Sequence, residues 1–534
     1  MLKGFLTVGG WTMASRVLGL VRDQLLAAAM GAGPMQDAFQ VAFRLPNLFR
    51  RLFGEGAFNS AFVPLFTGLL AGEGPGVART FAREALGVLL FWLLLLCVLG
   101  ELFMPAVISV IGAGFTGNRD LAVSLARITF PYVVLICAAA LVSGVLNGLE
   151  RFGVAAAAYV LFNVVGIAAI LFLTPFVPDV AHAASWGITL SGVFQLGVLL
   201  WAARRAGMPM GIPKPRLSPR MRLLMRRMLP GLVGSGITQL NLVVDTVIGT
   251  YLPAGSVSVM YFADRVNQLP LGVLGAAAGT TLLPVLSRQV GRGEMVDAHR
   301  TQNDAIEYAL VLTLPAALAL AVLAEPILAT LFGYGRFSPH DVALSAQSLR
   351  AYALGLPFFV LIKVLGPGFF ARGDTVTPVR VGMATLGLNL CLNLLLMRPL
   401  QHVGPPLATS LASAANAAVL GVILLRRGAL VPTRRSSSRL ARMLLAGIGM
   451  AGLLHLGRQL AFGDLERWHG LQRMAGLGTL MVAGVVVYGA LLQVLGVLDL
   501  RTLPGRIRGR LTRRAARNAT GSPASRQQID VKTP

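Results

Sequence analysis

Stretches of about twenty apolar residues recur along this chain, and a chain built that way folds as a set of membrane-crossing helices. Hydrocarbon offers no water to backbone N–H and C=O groups, so each crossing must close its own hydrogen bonds as a helix. Apolar blocks between charged or Pro/Gly breaks predict fourteen crossings: 5–29, 36–70, 84–109, 122–149, 154–174, 183–203, 229–252, 257–287, 304–324, 345–370, 379–397, 404–425, 441–461 and 474–498. The second block is too long for one straight crossing and carries charges at its middle, which predicts a bend or break. The fold class is an all-α polytopic membrane protein. Composition agrees, because 13% charged residues is about half the share of a soluble chain.

Charge placement sets the topology. With both termini inside, the inner loops and the tail from 501 hold 31 Lys/Arg residues and the outer loops hold five. The positive-inside rule then puts both termini in the cytoplasm. The net charge of +25 lies mostly in those inner loops, where it meets anionic headgroups, so membrane lipids are the expected partners and nucleic acid is not. The three cysteines, Cys97, Cys137 and Cys391, all fall in apolar blocks without metal-ligand spacing. No loop carries the Asp/His cluster that an enzyme acting on polyprenyl phosphates would need for a metal, so the chain reads as a transporter. No cofactor is expected.

Several charges stand where lipid should forbid them. The first two blocks contain Arg16, Arg22, Asp23, Asp37, Arg44, Arg50, Arg51 and Glu55. An ionised group at the bilayer centre costs about 2.5–3.5 kcal/mol on insertion scales, so a chain that keeps several shields them in a polar cavity. The excess of arginine suits an anion. A guanidinium stays ionised when desolvated and offers a planar fork of donors to phosphate oxygens. Asp264 and Arg265 recur in the eighth block, Asp245 lies in the seventh and Lys363 in the tenth. Each has a structural alternative: arginines near helix ends reach headgroups, Asp37 suits a helix start, and Lys363 suits a buried pairing as well as substrate contact.

The chain reads as duplicated. Phe43-Arg44 through Pro64 is echoed by Asp264-Arg265 through Pro284, and the turns Ala32-Gly33 and Ala254-Gly255 precede the two stretches. Repeated bundles around a midplane site are a transporter architecture. The expected divisions are two six-helix lobes, 1–203 and 229–427, joined by a basic linker at 204–228. Ser218 to Met228 of that linker suits an amphipathic helix on the inner leaflet. Two further helices lie in 428–500, and 501–534 reads as a basic, disordered cytoplasmic tail.

The run Ser15-Arg16-Val17-Leu18-Gly19-Leu20-Val21-Arg22-Asp23, then Asp37-Ala38-Phe39, then Phe43-Arg44-Leu45-Pro46-Asn47-Leu48-Phe49-Arg50-Arg51 through Phe58, resembles the MurJ (MviN) family of lipid II flippases. Tyr261-Phe262-Ala263-Asp264-Arg265, Val273-Leu274-Gly275, Lys363-Val364-Leu365, Pro367-Gly368-Phe369, Arg372 and Thr377-Pro378-Val379 extend the likeness over about residues 3–430. The resemblance implies a multidrug/oligosaccharidyl-lipid/polysaccharide exporter-type fold in the bacterial inner membrane. The implied activity moves undecaprenyl-pyrophosphate-linked peptidoglycan precursor, lipid II, to the periplasmic leaflet by alternating access, with the cell-wall synthesis machinery as a candidate partner. Substrate-binding positions carry over to Arg16, Arg22, Asp37, Arg50, Asp264 and Arg265; Arg51 and Lys363 join them as candidates. Some family members bind sodium, for which Asp245 and Asp374 are the candidate ligands, and membrane potential is the other coupling candidate. The two C-terminal helices would supply a groove for the lipid tail. Gln268 stands where some members carry an acidic residue. The competing reading is a cation-coupled exporter of drugs or other lipid-linked oligosaccharides with the same fold.

Overall fold

A computed structural model describes residues 2–54, 57–211, 215–431, 434–461 and 470–497; Glu55, Lys214 and the tail from 501 lie outside the described residues. Eighteen α-helices and no strand occur among the described residues. In chain order they are α1 (Leu2–Met30), α2 (Pro34–Gly54), α3 (Ala57–Gly72), α4 (Pro75–Leu102), α5 (Met104–Ile111), α6 (Arg119–Thr129), α7 (Tyr132–Gly148), α8 (Phe152–Ala168) and α9 (Val180–Arg205). The second nine are α10 (Pro219–Thr250), α11 (Ser256–Gly291), α12 (Met295–Val322), α13 (Ala324–Phe332), α14 (Pro339–Phe370), α15 (Val376–Leu400), α16 (Gly404–Arg426), α17 (Arg434–Ala461) and α18 (Leu471–Val494).

Each of the fourteen expected crossings finds its helix. Eighteen elements arise because the second, third and fourth crossings are each split in two and α13 follows the ninth. The expected break in the second block separates α2 from α3. The fourth is interrupted at Phe130-Pro131, where proline cannot continue the backbone ladder. Ser218 to Met228 is helical, but it does not form a separate surface helix. The Ser218 hydroxyl accepts from the Met221 N–H at 3.3 Å, Pro219 starts the first turn, and α10 runs unbroken to Thr250.

Nine segments among the described residues are long and apolar enough to cross a membrane by length and composition. One, 376–426, comprises α15 and α16, which turn at Gln401 and pack together. The remaining four crossings, α1, α2–α3, α10 and α11, carry Arg16, Arg22 and Asp23, Asp37 through Arg51, Asp245, and Asp264 with Arg265. The fourth and tenth crossings are the most buried of the nine segments, at 83% and 61%.

Packing follows the same order. α1 lies on α8, α8 and α7 on α9, α2 on α6 and α7, and α3 on α4 and α7. In the second group α14 contacts α11, α12 and α16. α10 touches α2 and α3 on one side and α15 on the other, and α17 packs on α12 with α18 outside it. A ladder of Phe58, Phe62 and Phe66 at helical spacing stacks on Phe81, with the Phe62 and Phe81 centroids 5.6 Å apart, and fixes α3 against α4.

The end of the bundle that carries the α1–α2 turn is knit by backbone groups. Arg336 N–H donates to the Ala28 carbonyl at 2.8 Å, and Ser338 and Asp341 form a reciprocal cap at the start of α14. Gly335 sits there at φ 61°, and a Cβ built on it would stand 2.4 Å from the Ala28 carbonyl oxygen. Gly335→Ala should therefore lower the thermal unfolding midpoint of the purified protein. The left-handed backbone alone costs about 1–2 kcal/mol and the steric conflict adds to it. An unchanged midpoint would show that the α1 end and this loop do not meet.

Candidate functional site

Residues 40, 44, 47 and 51 fall at i, i+4, i+7 and i+11, which is one face of a helix; 261, 264 or 265, and 268 do the same on α11. These two faces, with Arg22 of α1 and Phe162 of α8, enclose a cavity of about 630 Å³ of empty space. Its wall holds Arg22, Arg44, Arg50, Arg51 and Arg265 against a single carboxylate, Asp264. Five of the eight substrate-binding candidates, Arg22, Arg50, Arg51, Asp264 and Arg265, are thus brought together.

Asp23 organises the wall from behind. Its carboxylate is fully buried, accepts from Arg22 Nη2 at 2.8 Å and from Tyr261 Oη at 3.3 Å on one oxygen, and forms an ion pair with Arg265 Nε on the other. One carboxylate therefore ties α1 to α11 and holds two guanidiniums beside the cavity. Arg22 also lies over the Phe162 ring, 4.9 Å from its centroid. Gly19 makes room for Arg265, since a Cβ there would stand 2.8 Å from Arg265 Nη2. Elsewhere on the wall the Asn47 amide oxygen accepts from Arg50 Nη2 at 2.9 Å, Gln268 donates to Asp264, and Arg44 donates to the Thr246 hydroxyl of α10. A surplus of guanidiniums already oriented by amide, hydroxyl and carboxylate partners suits a multivalent oxyanion.

The other candidates stand elsewhere. Arg16 is six residues from Arg22, about 9 Å along the axis at 1.5 Å per residue. It packs on α11, where a Cβ at Gly272 would be 2.8 Å from its Nη1. Asp37 is outside the cavity wall. It is buried near the α1–α2 turn and accepts from Gly255 N–H at 2.6 Å, Ser258 N–H at 2.8 Å and the Ser258 hydroxyl. It thereby caps α11 from α2, so the helix-start alternative applies across the two lobes. Lys363 has an exposed side chain on α14 and does not line the cavity.

The two candidate cation ligands do not share partners. Asp245 is buried between α10, α15 and α16, accepting from Asn393 Nδ2 at 2.9 Å and Thr409 Oγ1 at 3.1 Å. Asn389 Oδ1 accepts from the same Asn393 amide at 2.8 Å, while Asn393 Oδ1 is buried without a hydrogen bond. A carboxylate, two amide oxygens and a hydroxyl are the donor set of a hard cation, so the fit is good at Asp245. Asp374 belongs to the loop before α15, where it accepts from Thr377 Oγ1 at 2.6 Å and Arg427 Nη1 at 2.6 Å. The Thr377 hydroxyl first, then Arg427, hold its carboxyl well below the usual range. No group of three or more His, Cys, Asp or Glu residues suited to a metal occurs among the described residues.

Arg44, Gln40, Asn47, Tyr261 and Gln268 belong to the wall although the sequence candidates omitted them. The helical spacing from Arg51 and from Asp264 was the signal that would have found them. Asp23 carried no such signal, because neighbours in sequence do not face one another on a helix.

Comparison with known proteins follows the same lines. A family profile described as "Lipid II flippase MurJ" matches residues 26–464. A probable lipid II flippase MurJ of Rhizobium tropici is 39% identical over 98% of this chain and 99% of its own length. That of Rhizobium meliloti (strain 1021) is 42% identical over 85% and 86%. A lipid II flippase MurJ structure in an inward closed conformation superposes with TM-score 0.76 at 22% identity, over 92% of this chain and 98% of that one. An inward-facing multidrug resistance MATE transporter shares the fold at TM-score 0.68 and 16% identity, over 77% and 94%.

Two measurements test the electrostatics of the site. Asp23→Ala strands two guanidiniums and should destabilise the protein by about 3–5 kcal/mol, read as a large fall in thermal midpoint. Asp374→Asn removes a partly exposed pair worth less than about 1 kcal/mol. A depressed carboxyl contributes stability above its unfolded pKa, so this smaller deficit should persist at neutral pH and close only below about pH 3.9. Equal deficits for the two variants would contradict the central role of Asp23.

Proposed function

Because this chain belongs to the MurJ family of lipid II flippases, we propose that it carries lipid II from the cytoplasmic to the periplasmic leaflet of the bacterial inner membrane. The observation that carries this reading is the convergence of Arg22, Arg44, Arg50, Arg51 and Arg265 on one cavity within the membrane-spanning helices. Lipid II bears a pyrophosphate, and guanidinium forks match its oxygens while staying charged away from water. A cationic drug would be repelled by the same wall, which favours this reading over a drug exporter of the same fold. As a transporter the chain makes and breaks no covalent bond of its cargo, and the arginines serve only to bind and orient it.

Transport by alternating access follows from what joins the lobes. In our reading residues 1–203 and 229–427 rock about the cavity, with both termini in the cytoplasm, and the polyprenyl chain stays in lipid along a groove supplied by 428–500. Opening outward requires Asp37 to leave the start of α11 and Arg336 to leave Ala28. Opening between α1 and α11 requires Asp23 to release Arg265. Sodium or the membrane potential would drive the cycle, with Asp245, Asn389, Asn393 and Thr409 as the residues that would hold the ion. A bound cation would supply positive charge beside the Asp245 carboxylate. The cell-wall synthesis machinery is the partner expected to consume the delivered precursor.

Translocation assays test both parts. In cells dependent on this protein, Arg22→Ala or Arg50→Ala should cut the appearance of lipid II in the outer leaflet about tenfold or more, since each removes a charged hydrogen bond of about 1.5–3 kcal/mol. Unchanged outer-leaflet lipid II in both variants would sink the anion-cavity mechanism. Asp245→Asn should abolish any stimulation of transport by sodium at a fixed membrane potential while leaving the arginine cavity able to bind lipid II. Sodium stimulation surviving in that variant would move the ion site elsewhere.

A further inference from the structure

A second, separate cavity lies between the start of α12 and the start of α17, with about 980 Å³ of empty space. It is lined by His299, Arg300, Asn303, Asp304 and Glu307 of α12, by Val431, and by Ser436 and Arg439 of α17. Two of its charges are already matched: Glu307 accepts from Arg439 Nη1 at 2.9 Å and from Ser436 Oγ at 2.7 Å. Asn303 Nδ2 donates to the Val431 carbonyl at 2.8 Å and fixes the connecting segment as a wall. Arg300 and Asp304 remain, both exposed, with no ion pair to any described residue.

These two residues begin a stripe. Arg300, Asp304, Tyr308 and Leu312 follow one another at i, i+4, i+8 and i+12 on α12, and all four are exposed. Tyr308 is 67% and Leu312 53% exposed, on a helix that crosses the membrane. Each step is about 6 Å, so the stripe passes from a cation to an anion to an aromatic ring to an aliphatic side chain within about 18 Å. That is the order of chemistry met on entering a leaflet from water, with tyrosine at headgroup depth. The end of α12 that carries Arg300 is also the end where α17 begins with Arg434, Arg435 and Arg439, which places the cavity at the arginine-rich membrane face.

We propose that this crevice binds one phospholipid with a phosphoethanolamine headgroup, its phosphate on Arg300 and His299, its primary ammonium on Asp304, and an acyl chain along Tyr308 and Leu312. A site for a purely anionic headgroup would not place an unpaired carboxylate one turn from its arginine. A zwitterion answers both charges at once. The primary ammonium donates hydrogen bonds to a carboxylate, which a quaternary choline ammonium cannot. The lipid sits on α12 beside the contact that α12 and α17 make through Glu307, Arg439 and Ser436. It lies outside the arginine cavity, so it is a resident lipid and not cargo.

Native mass spectrometry on the purified full chain tests this, with phosphatidylethanolamine, phosphatidylcholine and phosphatidylglycerol of identical acyl chains titrated in turn. The wild-type chain should retain phosphatidylethanolamine several-fold better than the other two. Asp304→Asn should erase the preference over phosphatidylcholine, Asp304→Glu should keep it, and Arg300→Ala should lower retention of all three. Thermal midpoints of the variants without added lipid should match wild type, which separates loss of a site from loss of fold. Equal retention of phosphatidylethanolamine and phosphatidylcholine by wild type would overturn the proposal, as would an unaltered preference in Asp304→Asn. Displacement of the lipid by millimolar inorganic phosphate would also overturn it, by making the crevice a site for a soluble anion.

Discussion

The buried Asp23 carboxylate is the interaction on which the cavity depends. Two guanidiniums, one from α1 and one from α11, are held within a membrane-spanning bundle by a single fully buried anion. Without it Arg22 and Arg265 would repel one another at short range in a medium that screens little. With it they remain charged, oriented and close together, and α1 and α11 gain a contact that belongs to neither alone. Glycine at position 19 completes the arrangement by letting Arg265 lie against the α1 backbone.

One side chain links the arginine-lined cavity to the segment that carries Asp245. Arg44 lines the anion cavity and donates to Thr246, the residue after Asp245. Asp245 in turn faces the amides and hydroxyl of α15 and α16. The guanidinium-lined wall and the oxygen-lined cluster are therefore adjacent along α2 and α10. Asp37 plays a third role, in which a carboxylate of one helix start satisfies the free N–H groups of another. Three aspartates inside the same bundle thus orient arginines, accept from an amide and a hydroxyl, and cap a helix, according to what surrounds each.

Much of the fold was legible in the residues because lipid is a severe solvent. Fourteen crossings, their order and the weak point in the second block all follow from the rule that the backbone must be satisfied within each span. The charge-bearing helices α1, α2, α10 and α11 were marked by the same rule, and they are the ones that meet around the cavity and the aspartate cluster. Boundaries were less legible. The helical run from Ser218 onward is the inner end of α10 because proline and a serine cap start one continuous helix there, a feature that amphipathic spacing alone cannot distinguish from a separate surface helix.

Sequence by itself determined that this chain crosses a membrane many times and that it must shield arginines there, because hydropathy and charge are properties of residues taken one at a time. It also marked Arg22, Arg50, Arg51, Asp264 and Arg265 as site candidates. Only the tertiary structure decided that Asp37 caps α11, that Asp23 clamps Arg22 and Arg265, that Asp374 pairs with Arg427 while Asp245 meets Asn393 and Thr409, and that Arg44 belongs to the cavity wall. The reason is that a carboxylate's role is set by the donors around it. Those donors lie from one position to more than two hundred positions away in the chain, brought within hydrogen-bond distance by helix packing alone.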